Sequence, residues 1–378
     1  MRVYEIAKPN NIEEFLEDLE VDRGGISIIS KKMELLYIKI EQLKTPAVNI
    51  LKQDALSVGA ELAVPSGVIL CQKEYYDCLL IGTKRQLEYL AKKELAQPFG
   101  LKNVAKMLQE LLSAKSFPIK IMGIINANSD SFFSGSRFLG KEAIAQIEKM
   151  ISDGADIIDI GAVSSRPGSK PVSQEEELAR VEDILELIKL QKLYEKVTFS
   201  IDSYTPLVVA KALESGFSIV NDITGASNDE LIKLAKSFNA KLCIMHMQGT
   251  PQTMQENPSY ENVVTEVDTF FQERISKCES FGLKRDDIIL DVGIGFGKTL
   301  EHNLALLKAH QHFSHFGCEL LIGASRKSLI DKIVPTEVKE RLAGTLAIHL
   351  KAIERGASII RCHDVKEHYQ AIKVLEKL

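Results

Sequence analysis

The sequence predicts a (β/α)8 barrel preceded by a small α+β domain. Three observations carry this reading. Between about residues 120 and 378, a short apolar strand, a polar residue at its C-terminal end and an amphipathic helix recur eight times. The markers at the strand ends are Asn126, Gly161, Asp202, Asn221, His246, Asp291, Ser325 and His363, spaced 19 to 45 residues apart. The strands are near-continuous apolar runs, as strands buried on both faces of a parallel sheet are. Eight consecutive units without a topological break favour a closed barrel over an open doubly wound sheet. Residues 118–378 supply 261 residues for a fold that needs roughly 250.

The elements follow in order. In residues 1–115, strands are expected at 25–30, 67–71 and 77–82, and helices at 11–19, 46–57, 84–95 and 101–114. The boundary falls at 113–118, where Pro118 stops a helix and leads into extended chain. No role can be assigned to this first domain. The barrel strands are expected at 119–125, 157–161, 197–202, 218–222, 241–246, 288–291, 319–323 and 357–361. Their helices are expected at 140–153, from 173, from 205, at 229–238, 261–281, 299–312, 338–355 and 365–377. Ser173 with Glu176 reads as a capping box, and Glu175, Glu176 and Glu177 suit the positive end of the helix dipole. Thr205 and Pro206 read as N-cap and first helical residue, and Asn228 as another cap.

Composition narrows the function class. A net charge of −5 over 378 residues is mild and gives no reason to expect a nucleic-acid partner, which usually needs a clustered basic face. No apolar run is long enough to span a bilayer, and the N-terminus lacks the apolar core of a secretory signal. Six scattered cysteines without a C-x-x-C pair suit a reduced, cytoplasmic protein.

At the C-terminal mouth of such a barrel, polar residues form the active site. The Gly-rich stretch from Asp291 to Thr299 superficially suggests a nucleotide loop. Val292 stands where a P-loop needs glycine, and Lys298 where G-x-G-x-x-G needs its last glycine, so both motifs are rejected. A glycine turn after an Asp still lets backbone approach a planar ligand; a tight turn that merely needs glycine is the bland alternative. Ser325, Arg326, Lys327 and Ser328 follow strand seven, and Arg361 and His363 end strand eight. Together these two basic clusters look like an anion site, although either alone could be a solvated turn or a core histidine. Asp202, Asn221 and Asp291 aim acceptors into the same mouth and suit a ligand with several N–H donors, since a carboxylate takes two in a fork. His310, His312 and His315 form a local cluster; metal binding is conceivable, but the spacing matches no standard zinc site and a solvated helix end is the favoured reading.

Taken together, these residues resemble dihydropteroate synthases, a family of pterin-binding barrels. The resemblance covers about residues 120–378. It rests on Met122 to Asn126 followed by Asp130, Ser131 and Phe132, and on Asp156 to Gly161 followed by Ser165, Arg166, Pro167 and Gly168. Further matches are Asp202-Ser203-Tyr204, Asn221-Asp222-Ile223, Met245 to Pro251, Asp291 with Gly293 to Lys298, Ser325 to Ser328, Arg341 to Thr345, and His363-Asp364-Val365. The family condenses a dihydropterin methyl diphosphate with 4-aminobenzoate, releases diphosphate and uses Mg2+. The resemblance implies that Asp291 grips the amino and ring N–H donors of the pterin. It places Asn221 and Asp202 at the other edge of the ring, and Lys327 at its oxo and N5 side. Asn126 would ligate Mg2+. Ser165 with Arg166, and Arg361 with His363, would meet the diphosphate or order the loops over it. Met245, Ser325 and Arg326 join the implied substrate site, and Phe296, Lys327 and Ser328 would line the aminobenzoate channel. A homodimer, with no nucleic-acid or membrane partner, is also implied.

The chemistry fits these roles. Diphosphate leaves readily once cations neutralise its growing charge, and a carboxylate near the ring, Asp202, helps a positive methylene develop. The arylamine is neutral at pH 7, so no Ser-His-Asp or Cys-His nucleophile is needed. Loops at about 127–139 and 162–172 are expected to close over the site and exclude water. The chain departs from the family pattern at Ala127-Asn128-Ser129, Ala162 to Arg166 and Val292. These changes bear on loop closure and leave the ring pocket intact. Two rivals remain: a pterin-dependent methyltransferase, which needs no diphosphate site, and a non-catalytic pterin-binding paralogue.

Overall fold

The computed structural model describes residues 3, 4, 9, 11–113, 115–127, 136–163 and 172–377, with 136–139 as backbone only. The chain forms two compact units, residues 1–114 and 115–377.

The first unit has a three-stranded antiparallel sheet in the order β1 (Leu35–Lys44), β3 (Tyr75–Thr83), β2 (Glu61–Ala63). Helices Ile12–Asp18, Thr45–Ser57, Lys84–Glu94 and Leu101–Leu112 agree with the expected periods. Two expected strands do not form. Residues 25–30 belong to helix Arg23–Met33, whose Asp22 cap accepts a hydrogen bond from the Gly25 N–H at 2.9 Å. Ile26 is buried and Ile29 half-buried, three residues apart on one face, while Ile28 is exposed. That is a helical period carried by β-branched residues, which suggested a strand. Residues 67–71 form successive turns, with Val68 bonding back to Pro65 and Cys71 to Val68; Ile69 and Leu70 lie exposed. Pro65 and Gly67 supply the turn chemistry. β1, which the sequence periodicity does not predict, alternates: Leu36, Ile38 and Ile40 pack on the core while Tyr37 and Lys39 stay exposed.

The second unit is a closed parallel barrel. Its strands are β4 (Lys120–Asn126), β5 (Ile157–Gly161), β6 (Thr198–Asp202), β7 (Ile219–Asp222), β8 (Lys241–Met245), β9 (Ile288–Asp291), β10 (Glu319–Ile322) and β11 (Ile359–Cys362). They pair in sequence order and β11 closes on β4. The caps explain the helix starts. Ser173 accepts from the Glu176 N–H at 3.2 Å, but the Glu176 carboxylate pairs with Arg180 instead of completing a capping box. Asn228 and Asn262 cap their helices through Oδ1. Two expected helices are divided: Leu300–Lys308 gives way to the 3-10 helix His310–Phe316, and the span 338–355 splits into the 3-10 turn Val338–Glu340 and helix Leu342–Ile353, with an unexpected short helix, Ser328–Ile333, before them.

Side chains alternate inward and outward along barrel strands. Met122, Ile157, Ile219, Cys243, Ile289, Leu321 and Ile359 form a separate buried cluster, the plug of the barrel. Two residues further along the same strands stand Ile124, Asp159, Asn221, Met245, Asp291, Gly323 and Arg361. The period of two therefore dictates the layer above the plug, and that layer is the site.

Candidate active site

The mouth is built around a row of charges. Arg361 donates from Nε to Asp159 Oδ2 and from Nη2 to Asp202 Oδ2, each at 2.6 Å. Asn221 Nδ2 donates to the same Asp159 oxygen at 3.1 Å. The Asp159 carboxylate thus ties the strand ends of β5, β7 and β11, and Arg361 adds β6 through Asp202. The other oxygen of Asp159 is buried and has no hydrogen-bond partner among the described residues. The loop that follows Asp202 is anchored in turn: Ser203 Oγ and Thr205 Oγ1 donate to the buried Glu177 carboxylate at 2.6 and 2.5 Å. Burial raises the Asp202 carboxyl and outweighs the opposing Arg361 guanidinium, so it is pushed up to about 7.

Asp291 ends β9 inside the mouth. Its Oδ1 accepts from the Gly293 N–H at 2.8 Å, and burial raises its carboxyl against the opposing pull of Lys327. The glycine turn that follows is required by close packing. Gly293 has φ 67°, and a Cβ there would lie 2.0 Å from the His246 carbonyl oxygen; Gly297 has φ 60°, with the Gln248 carbonyl oxygen 2.4 Å away. Asn303 holds the turn, accepting from the Gly295 N–H at 2.8 Å and donating to the Thr299 carbonyl at 2.6 Å. Lys327 crosses this turn: its Nζ donates to the Ile294 carbonyl at 2.6 Å and stands 4.6 Å from the Phe296 ring centre. Desolvation lowers Lys327 to about 8, although Asp291 and Asp202 favour its charge.

The two C-terminal strand ends are joined by directed hydrogen bonds. Ser325 Oγ lies 2.9 Å from His363 Nδ1 and accepts from the His363 N–H. Behind them the Ala324 N–H donates to His349 Nε2 at 3.0 Å. His349 Nδ1 therefore carries the proton toward His368 Nε2 at 2.8 Å, and His368 Nδ1 donates to the Asp364 carbonyl at 2.6 Å. This relay fixes the loop that carries Lys327.

The expected residues divide as follows. Asp202, Asn221, Met245, Asp291, Phe296, Lys327 and Arg361 occupy the mouth or its rim, with Ser325 and His363 beside it. Arg326 departs from its expected role. Its guanidinium forks onto Asp364 at 2.9 and 2.7 Å and donates to the Val338 and Lys339 carbonyls, so it braces the loop. Ser328 is exposed at the start of helix Ser328–Ile333. Ser165, Arg166 and most of both expected closing loops lie outside the described residues. Asn126 ends β4, and no described residue hydrogen-bonds to its side chain.

His246 is not at the mouth by the same count of two: Met245 takes that place, and His246 packs edge-on against Phe270. Its Nδ1 accepts from the buried Lys298 Nζ at 3.0 Å, and Lys298 also donates to the His246 and Phe296 carbonyls. Sequence reasoning missed Asp159, Glu177 and Lys298 as site builders. For Asp159 a signal existed, since one carboxylate interrupts the apolar run Ile157-Ile158-Asp159-Ile160.

A model of the family described as pterin binding enzyme matches residues 122–363. The dihydropteroate synthase of Escherichia coli (strain K12) is 42% identical over 257 residues, covering 68% of this chain and 90% of its own. A Helicobacter pylori protein named bifunctional dihydropteroate synthase/dihydropteroate reductase is 42% identical over 371 residues, 98% of this chain and 97% of its own. The solved dihydropteroate synthase of Yersinia pestis, in a sulfonamide drug complex, superposes with a TM-score of 0.65 at 35% identity, covering 70% of this chain and 98% of that one. With the charged mouth of its barrel, this chain belongs to the pterin-binding enzymes and, among them, to the dihydropteroate synthases.

Proposed function

We propose that the barrel mouth condenses (7,8-dihydropterin-6-yl)methyl diphosphate with 4-aminobenzoate through a division of labour between its acidic and basic strand ends. The observation that carries this is the single layer in which Asp159, Asn221, Asp291 and Arg361 follow the barrel plug, with Asp202 and Lys327 beside it. Asp291 accepts from the amino and ring N–H groups of the pterin, and Asn221 and Asp202 meet the opposite edge. A carboxylate at Asp202 stabilises positive charge as it grows on the pterin methylene. Lys327 faces the oxo and N5 side, and its alkyl stem with Phe296 forms a wall against which the arylamine can lie. Arg361, His363 and Ser325 take the diphosphate side, together with Ser165 and Arg166.

Asn126 fits Mg2+: it offers a hard amide oxygen, and this ion takes few protein ligands beside phosphates and water. When bound, the ion supplies charge neutralisation for the departing diphosphate. Sulfonamides would compete at the aminobenzoate position. We also place the enzyme in the cytoplasm, as a homodimer; all six cysteines are free and five are buried. No described helix is long and apolar enough to cross a membrane. The test is incubation of purified protein with both substrates and Mg2+. Formation of 7,8-dihydropteroate is expected, and pterin binding without turnover would favour the paralogue.

A second reading concerns the first 114 residues. The Helicobacter relative matches them as well as the barrel, whereas the Escherichia relative covers 68% of the chain. The chain would then also reduce dihydropteroate, taking two electrons and protons from a nicotinamide or flavin donor. Dihydropteroate-dependent oxidation of a reduced nicotinamide by the full chain, with and without added flavin, tests it; no oxidation under either condition excludes it.

A further inference from the structure

A second cluster of ligand-type side chains shares no residue with the mouth. Asp268 stands on helix Val263–Ser280, and His312 and His315 on the 3-10 helix His310–Phe316. A 3-10 helix has three residues per turn, so side chains at i and i+3 eclipse. This turn brings the two rings to 4.9 Å, centre to centre. Spacing alone offers no zinc pattern; the 3-10 geometry and a ligand from another helix supply it. Asp268 Oδ1 lies 2.8 Å from His312 Nε2 and 3.3 Å from His315 Nε2, and the three ligand atoms are all within 4.8 Å of one another. A tetrahedral ion with bonds of ~2.0–2.1 Å sets its ligand atoms about 3.4 Å apart, which the Asp268–His315 separation of 3.3 Å matches, while the Asp268–His312 pair at 2.8 Å would open slightly to admit the ion.

The proton count points the same way. His315 Nδ1 is 2.9 Å from the His312 carbonyl oxygen, which can only accept, so the neutral ring carries its proton there. His315 Nε2 then presents a lone pair to Asp268 Oδ1, also an acceptor. Two acceptors at that distance repel unless a cation or a second proton lies between them. Ligating histidines characteristically donate the other ring N–H to a backbone carbonyl, as His315 does. His310, the third histidine of the run, is buried and turned to the Arg355 carbonyl, so it takes no part.

We propose that Asp268, His312 and His315 form a divalent transition-metal site of zinc type, with its fourth position open to water. Two imidazoles and one carboxylate favour zinc over Mg2+, which prefers oxygen. The partial exposure of all three side chains leaves room for the water. Such an ion staples two parts of the outer helical layer and takes no part in the synthase reaction.

Chelator-stripped full-length protein, titrated with Zn2+ alone by calorimetry and with Co2+ by visible absorption, tests this. One saturable equivalent is expected, with the intense d–d bands of low-coordinate cobalt and a higher Tm in zinc. Asp268→Asn and His315→Gln should each weaken that equivalent by about 100-fold or more, with dihydropteroate formation unchanged. The wild-type cobalt spectrum remains decisive if a variant folds poorly. Weak octahedral bands or no saturable equivalent in the wild type would overturn the proposal. So would zinc binding that survives unchanged in the His312→Gln/His315→Gln double variant. A His315 ring protonated at both nitrogens and indifferent to Zn2+, read by 15N NMR, would assign the gap to a proton instead.

Discussion

The two ends of the barrel hold buried carboxylates in opposite conditions. At the N-terminal end, Glu319 receives Lys120 on one oxygen and Lys241 on the other, at 2.6 and 2.5 Å. Both oxygens are matched, and the two lysines outweigh the penalty of burial to hold the carboxyl below its usual range. At the mouth, Asp159 shares one oxygen between Arg361 and Asn221 and leaves the other without a partner among the described residues. Asp202 and Asp291 are raised by burial. The lower end is a finished ion-pair network that stabilises the fold. The upper end keeps donors and acceptors in reserve for a polar ligand. Unmet polar capacity inside a barrel is costly without a ligand, and the unpartnered Asp159 oxygen beside the raised Asp202 and Asp291 carboxyls marks where the substrate completes the structure.

Substitutions can break this contrast from either side. The largest effect is expected at Asp291 and Lys327. Ala at either position should lower kcat/KM by about a thousandfold, ~4 kcal/mol of transition-state stabilisation, with the far-ultraviolet spectrum unchanged. Activity within tenfold of wild type for Asp291→Ala would remove its ring-gripping role. Next comes Asp159→Asn. Losing a charged partner of Arg361 costs about 1.5–3 kcal/mol, so kcat/KM should fall roughly ten- to a hundredfold. An unchanged value would mean that Arg361 is positioned by Asp202 alone.

The pH profile of kcat/KM reports the free enzyme. Asp202 must be ionised and Lys327 charged, so activity should fall as pH drops below about 7 and again as it rises above about 8. Asp202→Asn should abolish the acid limb and leave the alkaline one. An acid limb that persists in this variant would assign that limb to another group. The smallest effect on catalysis is expected at the other end. Glu319→Gln should cost about 2 kcal/mol of stability, moderated by the partial exposure of both lysines, with kcat/KM within twofold. Loss of turnover in that variant would show that the two ends are coupled.

Much of this was legible in the sequence because barrel strands repeat with a period of two and the units repeat in order. Asp202, Asn221 and Asp291 were found at strand ends for that reason. The misplacements came where two signals overlap. His246 is polar and follows a strand, yet the count from Cys243 puts Met245 in the site layer and His246 outside it. Asp159 lies within an apolar strand rather than at its end, so a search of strand ends passed over it. Arg326 sits among site residues in sequence, but its positive φ of 54° and the facing Asp364 turn it into a brace. In the first unit, β-branched Ile26, Ile28 and Ile29 imitate a strand, and only the Asp22 cap and the burial of one face distinguish the helix. Partners distant in sequence, as Glu177 is to Ser203, leave no local pattern at all.

The most direct test of the central claim is diphosphate release from the dihydropterin substrate, measured with and without 4-aminobenzoate in the presence of Mg2+. The account predicts release that yields one dihydropteroate per diphosphate when the arylamine is present. Pterin binding with no diphosphate released under either condition would contradict it.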